Sequence, residues 1–189
     1  MTLTAHSSAG AIATIVVASA AMVFDLRVRR IPNAITFPAI GIGVLLWSLS
    51  TGWTGALAAG AGAAVCPLLL VLLHGGRRPG MGDLKLAAAI GSLLGPVAGA
   101  VAILVSAILG GLVAIVWAFR QGTPARETLG VLFLGVPLLG RLAGSRPAED
   151  QAGTVARLRF PYGVALGLGS IATAAAVTAM TTQRRARAG

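Results

Sequence analysis

The chain has 189 residues, of which 56% are hydrophobic and 11% charged, with 26 glycines. About a quarter of an average soluble domain is charged, so too little polar surface is available here to coat a soluble globule. The hydrophobicity excludes disorder, and the single cysteine, Cys66, excludes a disulfide scaffold. The net charge of +10 does not point to nucleic acid. Its basic residues cluster between apolar runs, as in the cytoplasmic loops of membrane proteins, and aromatics are only 5%.

Residues 1–24, 31–76, 86–119 and 160–183 carry no Asp, Glu, Lys or Arg. Runs of this length predict an all-α, polytopic integral membrane protein. The first run predicts a span over 9–26. The absence of a basic start argues against a secretory signal, despite the small residues Ala18-Ser19-Ala20. The second run is twice the length of one span, so it must fold back, and Ser50-Thr51-Gly52-Trp53 supplies the turn. Spans over 34–50 and 54–74 follow.

The third run would make a helix of about 50 Å at 1.5 Å per residue, longer than a bilayer is thick. Gly95-Pro96 breaks it, because proline cannot continue the backbone ladder and restricts the residue before it. This predicts a short span over 83–95 and a longer one over 97–119. A sixth covers 161–181, which leaves a polar loop over 120–160. Its apolar patch, 128–140, is too short to span and reads as interfacial or re-entrant. The expectation is a single membrane-embedded domain over 1–189 with about six spans. Arginines after the first, third and fifth spans place those loops in the cytoplasm and the amino terminus outside. The basic tail from Arg184 reads as a contact with lipid headgroups.

Only five acids occur, and Glu127, Glu149 and Asp150 lie in polar stretches. Asp25 and Asp83 instead abut apolar runs, at the cytoplasmic ends of the first and fourth spans. An ionisable group at an apolar helix end is costly unless paired or wetted, so it marks function by default. Two carboxylates that can approach each other suffice to activate water on a peptide carbonyl. One takes a proton from water and the other, protonated, donates to the carbonyl oxygen. The competing reading is local pairing: Asp25 with Arg29, and Asp83 with Arg78 or Lys85. Asp83 closes Gly80-Met81-Gly82-Asp83, whose two glycines allow unusual torsions and close approach of a substrate strand. Asp25 opens Asp25-Leu26-Arg27-Val28-Arg29-Arg30-Ile31-Pro32-Asn33, where Pro-Asn starts the next span.

The pairing of Asp-x-x-x-x-Arg-Ile-Pro-Asn with Gly-x-Gly-Asp-x-Lys-Leu resembles the type IV prepilin peptidases, intramembrane aspartic proteases of the Gly-x-Gly-Asp class. Phe160-Pro161-Tyr162-Gly163 is similar to a Pro-Tyr-Gly element near that family's last span. The resemblance implies that Asp25 and Asp83 are the catalytic pair and that Gly80 and Gly82 shape the backbone beside them. It implies an aspartic endopeptidase in the bacterial plasma membrane, its active site facing the cytoplasm. The substrate is then the basic leader of a prepilin or pseudopilin. Bifunctional members methylate the new amino terminus with a cytoplasmic domain carrying paired cysteines. Few residues precede the first span here and Cys66 is alone, so methylation is not expected and the compact form looks like the peptidases of tight-adherence (Flp-type) pili. Presenilin-like relatives share Gly-x-Gly-Asp, but their Tyr-Asp and Pro-Ala-Leu motifs are absent.

Other residues carry less. His74 ends the third span and reads as an interfacial side chain, Cys66 as a small side chain beside Pro67, and Trp47, Trp53 and Trp117 as interface anchors. The glycines Gly91, Gly95 and Gly99, and Gly163 with Gly167, permit close helix contact without bearing on function. No ligand cluster suggests a metal and no phosphate loop a nucleotide, so no cofactor is expected. Two rival readings are a proton-coupled transporter using Asp25 and Asp83, and an inactive scaffold of a secretion or pilus machine. A carrier would place acids near the midplane and show internal repeats, and the sequence has neither.

Overall fold

A computed structural model describes residues 2–28, 31–74, 79–120 and 162–188. Among these the chain is helical throughout, with short connectors and no strand. The helices are α1 (Thr2–Val28), α2 (Asn33–Thr51), α3 (Trp53–Leu73), α4 (Met81–Arg120) and α5 (Tyr162–Ala188). Each contains a stretch long and apolar enough to cross a membrane. In hydrocarbon every backbone polar group needs an internal partner, and a helix provides one within the segment itself. The expected loop over 120–160 with its patch at 128–140, Phe160-Pro161, and the arginines at 29, 30, 77 and 78 lie outside the described residues.

The boundaries follow local chemistry. Pro32, in extended conformation, precedes α2, and its carbonyl accepts a hydrogen bond from the Ile35 N–H at 3.1 Å. The turn expected at Ser50–Trp53 is a single residue, Gly52, at φ 66° and ψ −141°. Its N–H donates to the Ser48 carbonyl at 2.8 Å, closing α2, and its own carbonyl accepts from Ala56 at 3.2 Å, opening α3. The positive φ is why glycine stands there.

The 40 residues of α4 are not one rod. Gly95 leaves helical geometry, at φ 81° and ψ 174°, and Pro96 follows it without an N–H to donate. A straight helix would hold Gly91 and Gly99 about 12 Å apart. Instead, a Cβ on Gly99 would stand 2.9 Å from the Gly91 Cα. The chain therefore doubles back at Gly95-Pro96 into a helical hairpin, as the expected break between the fourth and fifth spans requires. The five helices thus supply six segments. The first arm of the hairpin is short, only 14 residues from Met81 to Leu94 or about 20 Å.

The arms pack through small residues. A Cβ on Gly62 of α3 would overlap the Gly91 carbonyl, and the Cys66 Sγ would lie 2.7 Å from a Cβ on either Gly91 or Gly99. Here the glycine spacing serves backbone contact, which in lipid replaces the missing hydrophobic drive between helices. Trp47 departs from its expected role as an interface anchor. Its ring lies against Gly95, and its Nε1–H donates to the Leu93 carbonyl at 3.3 Å. The hairpin turn strips that carbonyl of a helical partner, and the indole meets the need. Trp53 is 76% exposed, as an anchor would be, while the Trp117 side chain lies outside the described residues.

Buried hydroxyls bind the remaining helices. Ser92 donates to the Ile40 carbonyl of α2 at 2.9 Å, and Ser106 to the Leu166 carbonyl of α5 at 3.1 Å. The turn also orients the bundle. Gly10 of α1 lies against the Leu93 carbonyl, while Gly167, early in α5, lies against Ala18 and Met22. From that end α1 runs toward Asp25, and the first arm of α4 runs back toward Asp83. Both aspartates stand at the end of the bundle away from the turn.

Candidate active site

Asp25 occupies the last turn of α1, half-buried, with its Oδ2 shielded from solvent. Asp83 occupies the first turn of α4 and is also half-buried. The structure places both at the same end of the bundle, Asp25 at the end of α1 and Asp83 at the start of α4.

The glycines of the second motif lie in immediate contact with their surroundings. The Gly80 carbonyl accepts the Leu84 N–H at 3.2 Å, which starts α4 at this point. A Cβ on Gly80 would come within 3.0 Å of the Asp83 Oδ2, so its absence leaves room beside the carboxylate. A Cβ on Gly82 would come within 3.3 Å of the Ile31 Cβ, so the first turn of α4 lies flush on Ile31. Ile31 is 9% exposed and belongs to the Ile-Pro-Asn of the first motif.

The local pairing of Asp83 with Lys85 does not form. The Lys85 ammonium donates instead to the Asn33 Oδ1 at 2.8 Å and stands 5.7 Å from the centre of the Phe37 ring. The other local partners considered, Arg29 and Arg78, lie outside the described residues. The two motifs therefore meet twice, through Ile31 with Gly82 and through Asn33 with Lys85. Sequence reasoning missed both contacts: it offered Lys85 only as a local partner of Asp83 and gave neither Asn33 nor Lys85 a catalytic role. The available signal was that both residues open a helix at the same end of the bundle.

His74 ends α3, its ring Nδ1 2.7 Å from the Leu70 carbonyl, a helix-terminal arrangement that needs no chemistry. Among the described residues no three His, Cys, Asp or Glu side chains gather as a metal site would require. What the arrangement offers is two half-buried carboxylates at one end of the bundle, with glycine backbone beside Asp83.

A family model for the type IV leader peptidase family matches residues 12–115. The chain belongs to that family. The matched segment runs from within α1 into the second arm of α4 and contains Asp25, Asp83 and both motifs. Searches of curated proteins and of solved structures find no match. Membership in the leader peptidase family makes this a membrane-embedded protease for prepilin-type substrates. Its helices agree with a multi-pass arrangement.

Proposed function

We propose that the protein is an aspartic endopeptidase whose dyad, Asp25 and Asp83, cleaves the basic leader of a prepilin or pseudopilin at the cytoplasmic membrane face. The observation that supports the reading is the placement of two half-buried carboxylates on different helices, at one end of the bundle. Like charges at short range favour a state in which the pair holds one proton. The ionised member removes a proton from water as the oxygen attacks the scissile carbonyl carbon. The protonated member donates to the carbonyl oxygen. Collapse of the tetrahedral adduct breaks the C–N bond, a proton passes to the leaving nitrogen, and the pair is left again with one proton.

A glycine-lined approach suits a peptide strand, since Gly80 leaves its Cβ position open beside Asp83. The cytoplasmic direction rests on the arginines that follow the first, third and fifth spans. A proton carrier would hold its acids near the midplane, whereas these stand at helix ends. The reading is tested by incubating the purified protein in proteoliposomes with a prepilin-type substrate and identifying the products by mass. One cut between the basic leader and the apolar segment supports it, and an intact substrate in the presence of folded protein refutes it.

A further inference from the structure

The dyad depends on two helix ends from separate parts of the chain staying in register. Asp25 ends α1 and Asp83 starts α4, so any play between these ends changes the separation of the carboxylates. Packing of Ile31 on Gly82 restrains one direction only, because an apolar contact has little directional preference. A directional restraint between α2 and the start of α4 is the hydrogen bond from the Lys85 Nζ to the Asn33 Oδ1. Lys85 is two residues beyond Asp83, and Asn33 is the first residue of α2, five positions beyond Val28 at the end of α1. The Phe37 ring, one helical turn beyond Asn33, sits at a distance from the ammonium suited to a cation–π contact. One lysine is thus held by two side chains of α2, and neither is an acid.

We propose that Lys85 is a positioning residue, which clasps the start of α4 to the start of α2 through Asn33 and Phe37 and so sets the approach of Asp83 to Asp25. It touches no reacting atom. The proposal rests on the dyad reading, and its test separates the two. Lys85→Met keeps the length of the side chain and removes the donor, and Asn33→Ala cuts the same bond from the other side. Each lowers kcat by about ten- to a hundredfold with KM little changed, the scale expected when reacting groups are displaced without loss of binding. The double variant is no worse than the poorer single, because both remove one interaction. Lys85→Arg, which still donates to Asn33, recovers part of the rate. Disulfide formation between cysteines placed at 25 and 83, in a Cys66→Ala background, slows when Lys85→Met is added.

Additive losses in the double variant, a loss confined to KM, or an unaltered cross-linking rate would each overturn the positioning role. Where Lys85→Met does not accumulate in membranes, Asn33→Ala is measured in its place against the same outcomes. Failure of the dyad itself has a different signature: Asp25→Asn or Asp83→Asn then cleaves normally, whatever the Lys85 variants do.

Discussion

Ile31 packs directly over Gly82, so that a Cβ at position 82 would lie 3.3 Å from the Ile31 Cβ. This contact joins the connection after α1 to the first turn of α4, one residue before Asp83. Glycine favours this closeness of approach. An added methyl forces Ile31 to yield by a few tenths of an ångström, and a branched side chain forces a larger shift. Gly82→Ala should therefore cleave several-fold more slowly, and Gly82→Val should be inactive while still inserting. Cleavage rates normalised to membrane-inserted protein check this, and a fully active Gly82→Val variant would contradict it.

Gly80 predicts a different effect. Its missing Cβ leaves space 3.0 Å from the Asp83 Oδ2, and an alanine there crowds the carboxylate itself. Gly80→Ala should lower kcat more than it changes the thermal stability of the protein. Paired kinetic and melting measurements check the prediction, which fails if both fall together.

The hairpin turn predicts stability effects remote from the dyad. Trp47→Phe keeps the ring on Gly95 and deletes the hydrogen bond to the Leu93 carbonyl. Leaving a buried carbonyl unsatisfied costs about 1–3 kcal/mol. Gly91→Leu should be worse, because a side chain there meets the Gly62 carbonyl and Cys66. Thermal unfolding in detergent should show a measurable loss for Trp47→Phe and little folded protein for Gly91→Leu. Wild-type melting of either variant would contradict the packing described.

Much of this architecture was legible in the sequence because lipid imposes a length on each helix. The charge-free runs gave the segments, Gly52 the first turn, and Gly95-Pro96 the break that becomes the hairpin. Asp25 and Asp83 stood out because acids at apolar helix ends are costly. Contacts between segments were not legible. The sequence shows that Trp47 is aromatic and near a helix end, but whether it faces lipid or Gly95 depends on the rotation of α2 against α4. The same holds for Cys66 between Gly91 and Gly99, and for Lys85, whose choice of Asn33 over Asp83 depends on where α2 begins.

Cys66 also bears on inhibition. It is fully buried against the hairpin glycines, so thiol reagents should not reach it in the folded protein. Cleavage should survive alkylating reagents and chelators alike, since an aspartic dyad uses neither a thiol nor a metal. Loss of activity on chelation that returns with added metal, or after modification of Cys66 in folded protein, would argue against the mechanism.

The central claim is that Asp25 and Asp83 act as one catalytic unit. Its most direct test is the single-turnover cleavage rate of a basic-leader prepilin in proteoliposomes by Asp25→Asn, Asp83→Asn and the double variant. The account predicts that each single substitution abolishes cleavage with the protein inserted and folded, and that the double is no worse than either. Wild-type cleavage by either single variant would contradict it.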